Sequence, residues 1–183
     1  MDFAAARHNM VESQVKPNRV TNPKILDAIA DLPREKFVPQ GLEGVAYVDE
    51  ALAMGDGRYM MEAMILGRLL QEADTTGEDI ALVVGCGSGY EAAVLSRLAG
   101  TVVALEDDKA AADQANAKLL EQASIRSPWS KAPWPKAIPA NSPMTLFSSM
   151  ARSVKYPPPC RHSWPKAADW LPLSALVRLA RRR

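Results

Sequence analysis

The chain has 183 residues, 48% of them hydrophobic, with 22 Lys+Arg against 21 Asp+Glu and a formal charge of +1. That length suits one domain with a real core, and the even charge gives no global drive towards nucleic acid or an anionic membrane. Cys86 and Cys160 are too few for a disulfide framework, no apolar run reaches bilayer length, and the N-terminus lacks the basic-then-apolar pattern of a secretory leader, so a reducing cytoplasm is the expected setting.

In chain order, Asp2 to Val15 reads as a helix with Phe3, Met10 and Val11 apolar. Thr21-Asn22-Pro23 is a helix start, with Asn22 as cap and Pro23 in the first turn. The helix Lys24–Leu32 follows, with Ile25, Leu26 and Ile29 on one face, and Pro33 ends it. Phe37-Val38-Pro39 and Ala46-Tyr47 read as ordered loops carrying buried anchors, and Gly55-Asp56-Gly57 as a turn. A third helix is expected over Met60–Ala73, with Met61, Met64, Ile65, Leu69 and Leu70 apolar.

The pattern then changes. Ile80–Val84 is a continuous apolar run of the kind a buried parallel strand shows. Ser88–Leu98 reads as a helix, Thr101–Leu105 as a second buried strand, and Asp107–Gln122 as an alanine-rich helix. A βαβα order argues for an α/β doubly wound sheet. None of the 14 prolines lies between Gln40 and Ser127, yet ten fall between Pro128 and Pro172, a sharp break in composition.

The chemistry sits at the junction of the first strand and its helix. Gly85-Cys86-Gly87-Ser88-Gly89 is a glycine turn that allows positive φ and close backbone approach to a ligand, and the following helix start offers N–H groups to polar ligand atoms. Glu106 stands at the tip of the next strand, where a carboxylate accepts ribose hydroxyls. The bland alternative is a turn needed only for tight packing, with Glu106 a solvated strand end. In a strand–turn–helix–strand setting the pair favours an adenosine-bearing cofactor.

The spacing is G-x-G-x-G, and VVGCGSGYEAAVLSRL resembles the S-adenosylmethionine turn of class I methyltransferases. Arg7, Met10-Val11-Glu12 and Gln14, then Leu32-Pro33-Arg34-Glu35-Lys36-Phe37-Val38-Pro39, Ala46-Tyr47, Asp49 and Gly55-Asp56-Gly57, resemble protein-L-isoaspartate O-methyltransferases in order and spacing. The resemblance runs from Arg7 to about Gln122. It implies a Rossmann-like methyltransferase sheet behind an N-terminal helical extension, with Gly85, Cys86, Gly87, Ser88, Gly89 and Glu106 holding S-adenosylmethionine. It further implies methyl transfer to the carboxylate of an isoaspartyl residue in a protein or peptide, the start of protein repair. Nucleic acid and membrane are not expected as partners.

Two departures stand out. After Gly57 the family carries a Gln-Thr-Ile-Ser-Gln-Pro-like string whose serine belongs to the active site; here Arg58-Tyr59-Met60-Met61-Glu62-Ala63 occupies those positions. Met61 replaces the serine, and Met60 and Met61 read as helix-core residues. Arg58 is either a surface arginine or a planar fork for a substrate carboxylate. The family's acidic residue two before the first glycine is Val83 here. The catalytic residue is therefore left unassigned, and a non-catalytic module binding the cofactor or a protein is the alternative reading. His8 and His162 have no partners at metal-ligand spacing, so both read as surface residues and no metal site is expected; Cys86 reads as a packed thiol, not a nucleophile.

Ser124–Arg183 offers no βαβ pattern as written, so the sheet is expected to hold its first half only, with the C-terminal third irregular. Read one base earlier, the codons of Met144–Ser153 permit Tyr-Asp-Val-Ile-Leu-Leu-Asp-Gly-Ala-Val, a strand ending in an acidic turn. Those of Trp164–Ser174 permit a Gly-Gly-x-Leu-Val strand, and those of 124–136 a third family-like segment. The expected organisation is a helical part over 1–79, a cofactor unit over 80–122 and an out-of-frame tail over 123–183. A single frameshift near Gln122, from a sequencing error or in a pseudogene, would make the chain an inactive product with uncovered strand edges.

Overall fold

The computed structural model describes residues 1–55, 57–106, 108–122 and, for the backbone alone, 144–148. The expectations for Asp56, Asp107, Cys160, His162 and the segments 123–143 and 149–183 lie outside the described residues.

Helix α1 (Phe3–Met10) begins where the Asp2 carboxylate accepts from the Ala5 N–H. It tightens and widens through a π turn over Val11–Val15 and a 3-10 turn over Lys16–Asn18, and ends at Arg19 with φ 65°. Helix α2 (Pro23–Asp31) starts as expected, with Asn22 capping the Lys24 N–H and Pro23 in the first turn. It buries Ile25, Ala28 and Ile29 along one stripe.

The first difference from expectation comes next. Leu52–Gly55 (β1) and Arg58–Met60 (β2) form an antiparallel hairpin around the glycine turn, with a register shift between Ala53 and Gly55. Met60 therefore closes a strand, and helix α3 starts three residues later, at Ala63–Ala73. Met60 and Met61 are core residues, 2% and 5% exposed, but neither is helical. Glu62 before the helix is extended at ψ 144°, which sets the helix start.

Strands β3 (Ile80–Val84) and β4 (Thr101–Leu105) form over the expected residues and pair in parallel, Ile80 opposite Thr101 through Val84 opposite Leu105. Helix α4 is shorter than expected, Tyr90–Leu95, and α5 spans Lys109–Glu121 behind an Asp108 cap. A further parallel strand, β5 (Met144–Ser148), lies on the other side of β3, giving the order β4-β3-β5. This corrects the irregular reading at these five residues and the expectation that Ile80–Val84 keeps an uncovered edge. Parallel pairing with β3 supplies a backbone ladder that a five-residue segment cannot announce in its own sequence.

Alternate strand residues face opposite ways. Ala81, Val83, Val102 and Ala104 join a buried cluster that runs from Met10 to Leu119 and takes in α1 to α5. Leu82, Val84, Val103 and Leu105, with Ile80, form a second cluster on the other face. Within the large cluster Leu66 and Leu70 of α3 are each 1% exposed; full burial of a leucine stabilises by about 1.5–3 kcal/mol. The helical N-terminal part and the βαβα unit thus share one core.

Candidate functional site

The residues that carried the family resemblance converge below the sheet. The Tyr47 hydroxyl donates to Glu35 and accepts from Arg7 at 3.2 Å, and Gln14 Nε2 donates to the Tyr47 carbonyl at 2.9 Å. Burial, then the Glu35 carboxylate, pushes the Tyr47 phenol well above its ordinary range. Arg34 is 0% exposed. Its Nε donates to the Ala46 carbonyl at 2.7 Å and its Nη2 to the Met61 carbonyl at 2.6 Å, while its guanidinium lies 4.9 Å from the centre of the Tyr90 ring. Phe37 meets the same ring edge-on at 5.4 Å. These contacts seat the glycine turn's helix on the N-terminal part of the chain.

The turn itself leaves β3 at Gly85. Gly85, Gly87 and Gly89 take φ values of 69°, 50° and 87°, in the left-handed region that favours glycine. At Gly89 a Cβ would also be tight, 3.2 Å from Leu119 Cδ1 and 3.3 Å from the Ala115 Cβ, so those side chains would have to give by a few tenths of an ångström. Gly85 and Cys86 both donate to the Leu105 carbonyl, at 2.8 and 3.2 Å, which ties the turn to the end of β4. The helix after the turn has only six residues, so little axial dipole accumulates at its start. Gly87 N–H instead points at Glu106 Oε2, 2.9 Å away.

A cleft of about 280 Å³ opens over this turn. Gly85, Cys86, Gly87 and Ser88 form one wall, Met54 and Arg58 of the hairpin another, and Asp108, Ala110 and Lys118 of the α5 region a third. Glu106 lies behind the cleft wall, its side chain 2% exposed. Arg58 covers it with a two-pronged ion pair, Nη1 to Oε2 at 2.7 Å and Nη2 to Oε1 at 2.8 Å. The Asp108 N–H reaches Oε1 at 3.3 Å. Such a pair is both strong and geometrically specific.

The structure therefore brings Gly85, Cys86, Gly87, Ser88 and Arg58 together around one cleft with Gly89 and Glu106 immediately behind. It places Arg58 on Glu106, where the sequence had suggested only a surface arginine or a fork for substrate. Met61 is buried beneath the hairpin with its carbonyl on Arg34, so the family's serine position presents no hydroxyl to the cleft. Cys86 is 2% exposed, and burial, with the Glu106 and Glu91 carboxylates adding, pushes its thiol up to about 12. A thiol held that firmly protonated is a poor nucleophile. His8 is exposed. Among the described residues no three His, Cys, Asp or Glu side chains could hold a metal ion, and no helix is long and apolar enough to cross a membrane.

Sequence reasoning missed three cleft residues. Glu91 is 6% exposed, and burial raises its carboxyl above the usual range, favouring the uncharged form. Asp108 caps α5 by accepting from the Ala110 and Ala111 N–H groups at 2.7 and 3.2 Å. Lys118 is partly desolvated, which disfavours its charged ammonium and lowers its pKa. Only Asp108 had a local signal, an acidic cap before an alanine-rich helix.

The residues fit an adenosine-bearing group. Three positive-φ glycines bring bare backbone to the cleft, a carboxylate stands at the tip of the adjacent strand, and Met54, Ala110 and Pro39 supply apolar wall for a base. Comparison with known proteins agrees. A family model described as Protein-L-isoaspartate(D-aspartate) O-methyltransferase (PCMT) matches residues 5–130. The chain is 34% identical over 141 residues to protein-L-isoaspartate O-methyltransferase 1 of Rhodopseudomonas palustris (strain HaA2), covering 75% of this chain and 58% of that protein. It is 37% identical over 141 residues to the protein-L-isoaspartate O-methyltransferase of Methylorubrum extorquens (strain PA1), covering 75% of this chain and 62% of that one. The chain thus spans about three fifths of the length of these curated relatives.

Among solved structures, a protein-L-isoaspartate O-methyltransferase superposes with a TM-score of 0.66 at 22% identity, over 78% of this chain and 47% of that one. A putative protein-L-isoaspartate O-methyltransferase from Plasmodium falciparum, in complex with S-adenosyl-L-homocysteine, superposes with a TM-score of 0.51 at 16% identity, over 67% of this chain and 57% of that one. Both speak for the fold, a Rossmann-like α/β methyltransferase sheet. With the glycine turn, the carboxylate beyond it and the buried Arg34 seat all in place, the chain belongs to the protein-L-isoaspartate(D-aspartate) O-methyltransferase family.

Proposed function

We propose that this chain carries the cofactor-binding part of an S-adenosylmethionine-dependent protein carboxyl methyltransferase acting on isoaspartyl sites in damaged proteins or peptides, in a reducing cytoplasm, with neither nucleic acid nor membrane as partner. The observation that carries the reading is Glu106. A carboxylate with a side chain 2% exposed, held by the Gly87 N–H beside a cleft and covered by Arg58, would accept ribose hydroxyls where the arginine gives way. Gly85, Cys86, Gly87, Ser88 and Gly89 would let bare backbone approach the cofactor closely, while the N–H groups of Gly85, Cys86, Gly87 and Gly89 stay bonded to Leu105, Glu106 and Cys86. When bound, the cofactor supplies a methyl group on a sulfonium, open to in-line attack by a carboxylate. The protein's own contribution is then positioning and electrostatics. Met54 and Pro39 give the cleft an apolar side. With methionine at position 61, Arg58 would offer its fork to an acceptor carboxylate only when released from Glu106, which it holds by both Nη atoms. Tritium transfer from labelled S-adenosylmethionine to an isoaspartyl peptide tests the reaction, and transfer no faster than in a protein-free control overturns it.

The burial of Met61 favours a second reading, a module that binds the cofactor without catalysis. Calorimetry with S-adenosylhomocysteine decides between them: binding without methyl transfer supports the module. The organisation into 1–79, 80–122 and an out-of-frame 123–183 is also a proposal; the family match runs to residue 130, eight residues past the proposed junction. The coding DNA from the Gln122 codon tests it, and early stops in the minus-one frame overturn it.

A further inference from the structure

A carboxylate offers about four lone-pair directions. Among the described residues, four N–H donors already reach Glu106: Gly87 at 2.9 Å and Arg58 Nη1 at 2.7 Å on Oε2, Asp108 at 3.3 Å and Arg58 Nη2 at 2.8 Å on Oε1. Two are backbone groups fixed by the glycine turn and the α5 cap. The other two belong to one side chain, 27% exposed, that reaches over from the hairpin and lines the cleft. A vicinal diol needs two acceptor directions on the same carboxylate, and only the pair held by Arg58 can be given up without unfolding the turn.

We propose that Arg58 is an internal competitor for the ribose position: its guanidinium occupies Glu106 until a vicinal diol replaces it. This rests on the cofactor reading above. Arg58 thereby sets the affinity and the selectivity of the cleft. A ligand bearing a 2′,3′-diol binds against the cost of breaking a bidentate ion pair, and repays it with two hydrogen bonds to the carboxylate. A ligand lacking the diol leaves Arg58 in place and binds only by its base and its chain. Replacing Arg58 by a neutral, shorter residue removes the competitor and leaves a nearly buried carboxylate short of two donors, so diol ligands gain and others do not.

The test is calorimetry on the full chain, wild type against Arg58→Gln, with S-adenosylhomocysteine, adenosine and 2′,3′-dideoxyadenosine. The expected result is that Arg58→Gln binds S-adenosylhomocysteine and adenosine tighter by about tenfold, the scale of one charge-assisted interaction, while dideoxyadenosine is unchanged. Arg58→Lys, which keeps the charge and loses the fork, should fall between. Equal or weaker binding of the diol ligands by Arg58→Gln overturns the inference and leaves the cofactor reading standing. An equal gain for dideoxyadenosine also overturns it, since a general opening of the cleft would then be the cause. No binding of any adenosine ligand by either protein ends both. Should Arg58→Gln fail to fold, arginine-labelled wild type decides by NMR. The Arg58 guanidinium N–H signals should lose protection from exchange on adding S-adenosylhomocysteine and keep it on adding dideoxyadenosine; unchanged protection in both overturns the inference.

Discussion

Two arginines hold the two ends of this site in different ways. Arg34, under the cradle, is 0% exposed and donates from Nε and Nη2 to the carbonyls of Ala46 and Met61, with its guanidinium over the Tyr90 ring. Arg58, at the mouth, is 27% exposed and faces a carboxylate. The first is bonded to fixed main chain and has nowhere else to go. The second is bonded to a side chain that another ligand can claim. Burial and partner type together separate a residue that builds the site from one that regulates access to it.

The largest effect should come from Arg34→Ala. It strips two buried carbonyls of donors and leaves a cavity, a loss of about 3–5 kcal/mol, measured by urea unfolding; a loss below about 1 kcal/mol would erase the contrast. Glu106→Gln comes next, with S-adenosylhomocysteine binding weakened by at least about tenfold as charged acceptors are lost. Unchanged affinity in calorimetry would remove Glu106 from the site. Arg58→Gln should lower unfolding stability by about 1–2 kcal/mol, because it takes two donors from a carboxylate that is 2% exposed while the arginine itself is partly exposed. A loss as large as that for Arg34→Ala would make Arg58 a structural residue too.

The smallest effect concerns Cys86. Its folded-state proton affinity exceeds the unfolded one, so the stability it contributes is fully present below about pH 9 and is lost as pH climbs towards about 12. Wild type should therefore lose more stability than Cys86→Ala between pH 9 and 11 on the same urea assay, and iodoacetamide at neutral pH should leave the Cys86 peptide unmodified by mass spectrometry. Rapid modification in the folded protein would contradict the burial of the thiol.

Strands β3 and β4 were legible to the residue because each is a continuous apolar run closed by glycine or acid, the local signature of a strand buried on both faces. The hairpin was not. Its strands have four and three residues, and Met60, Met61, Met64 and Ile65 fall at helical spacing, which drew the helix forward. What stops the helix before Ala63 is non-local: the Met61 carbonyl is held by Arg34, 27 residues earlier in the chain. For the same reason Arg58 and Glu106 could each be picked out while their pairing, across 48 residues, could not. The Arg7, Gln14, Glu35 and Tyr47 network emerged only as a family pattern, since no spacing rule joins residues that far apart. Strand β5 depends wholly on the edge that β3 offers it.

The hairpin is also a mechanical part. Two short strands make a ribbon that is barely stable alone, and Arg58 pins its free end to β4 across the cleft. Trading that pin for a ribose should raise the amide exchange rates of Leu52–Met60 at the same moment that the cleft fills. The wall carrying β1 and β2 would then be loosest when the cleft is full, so that filling the cleft would free its own rim.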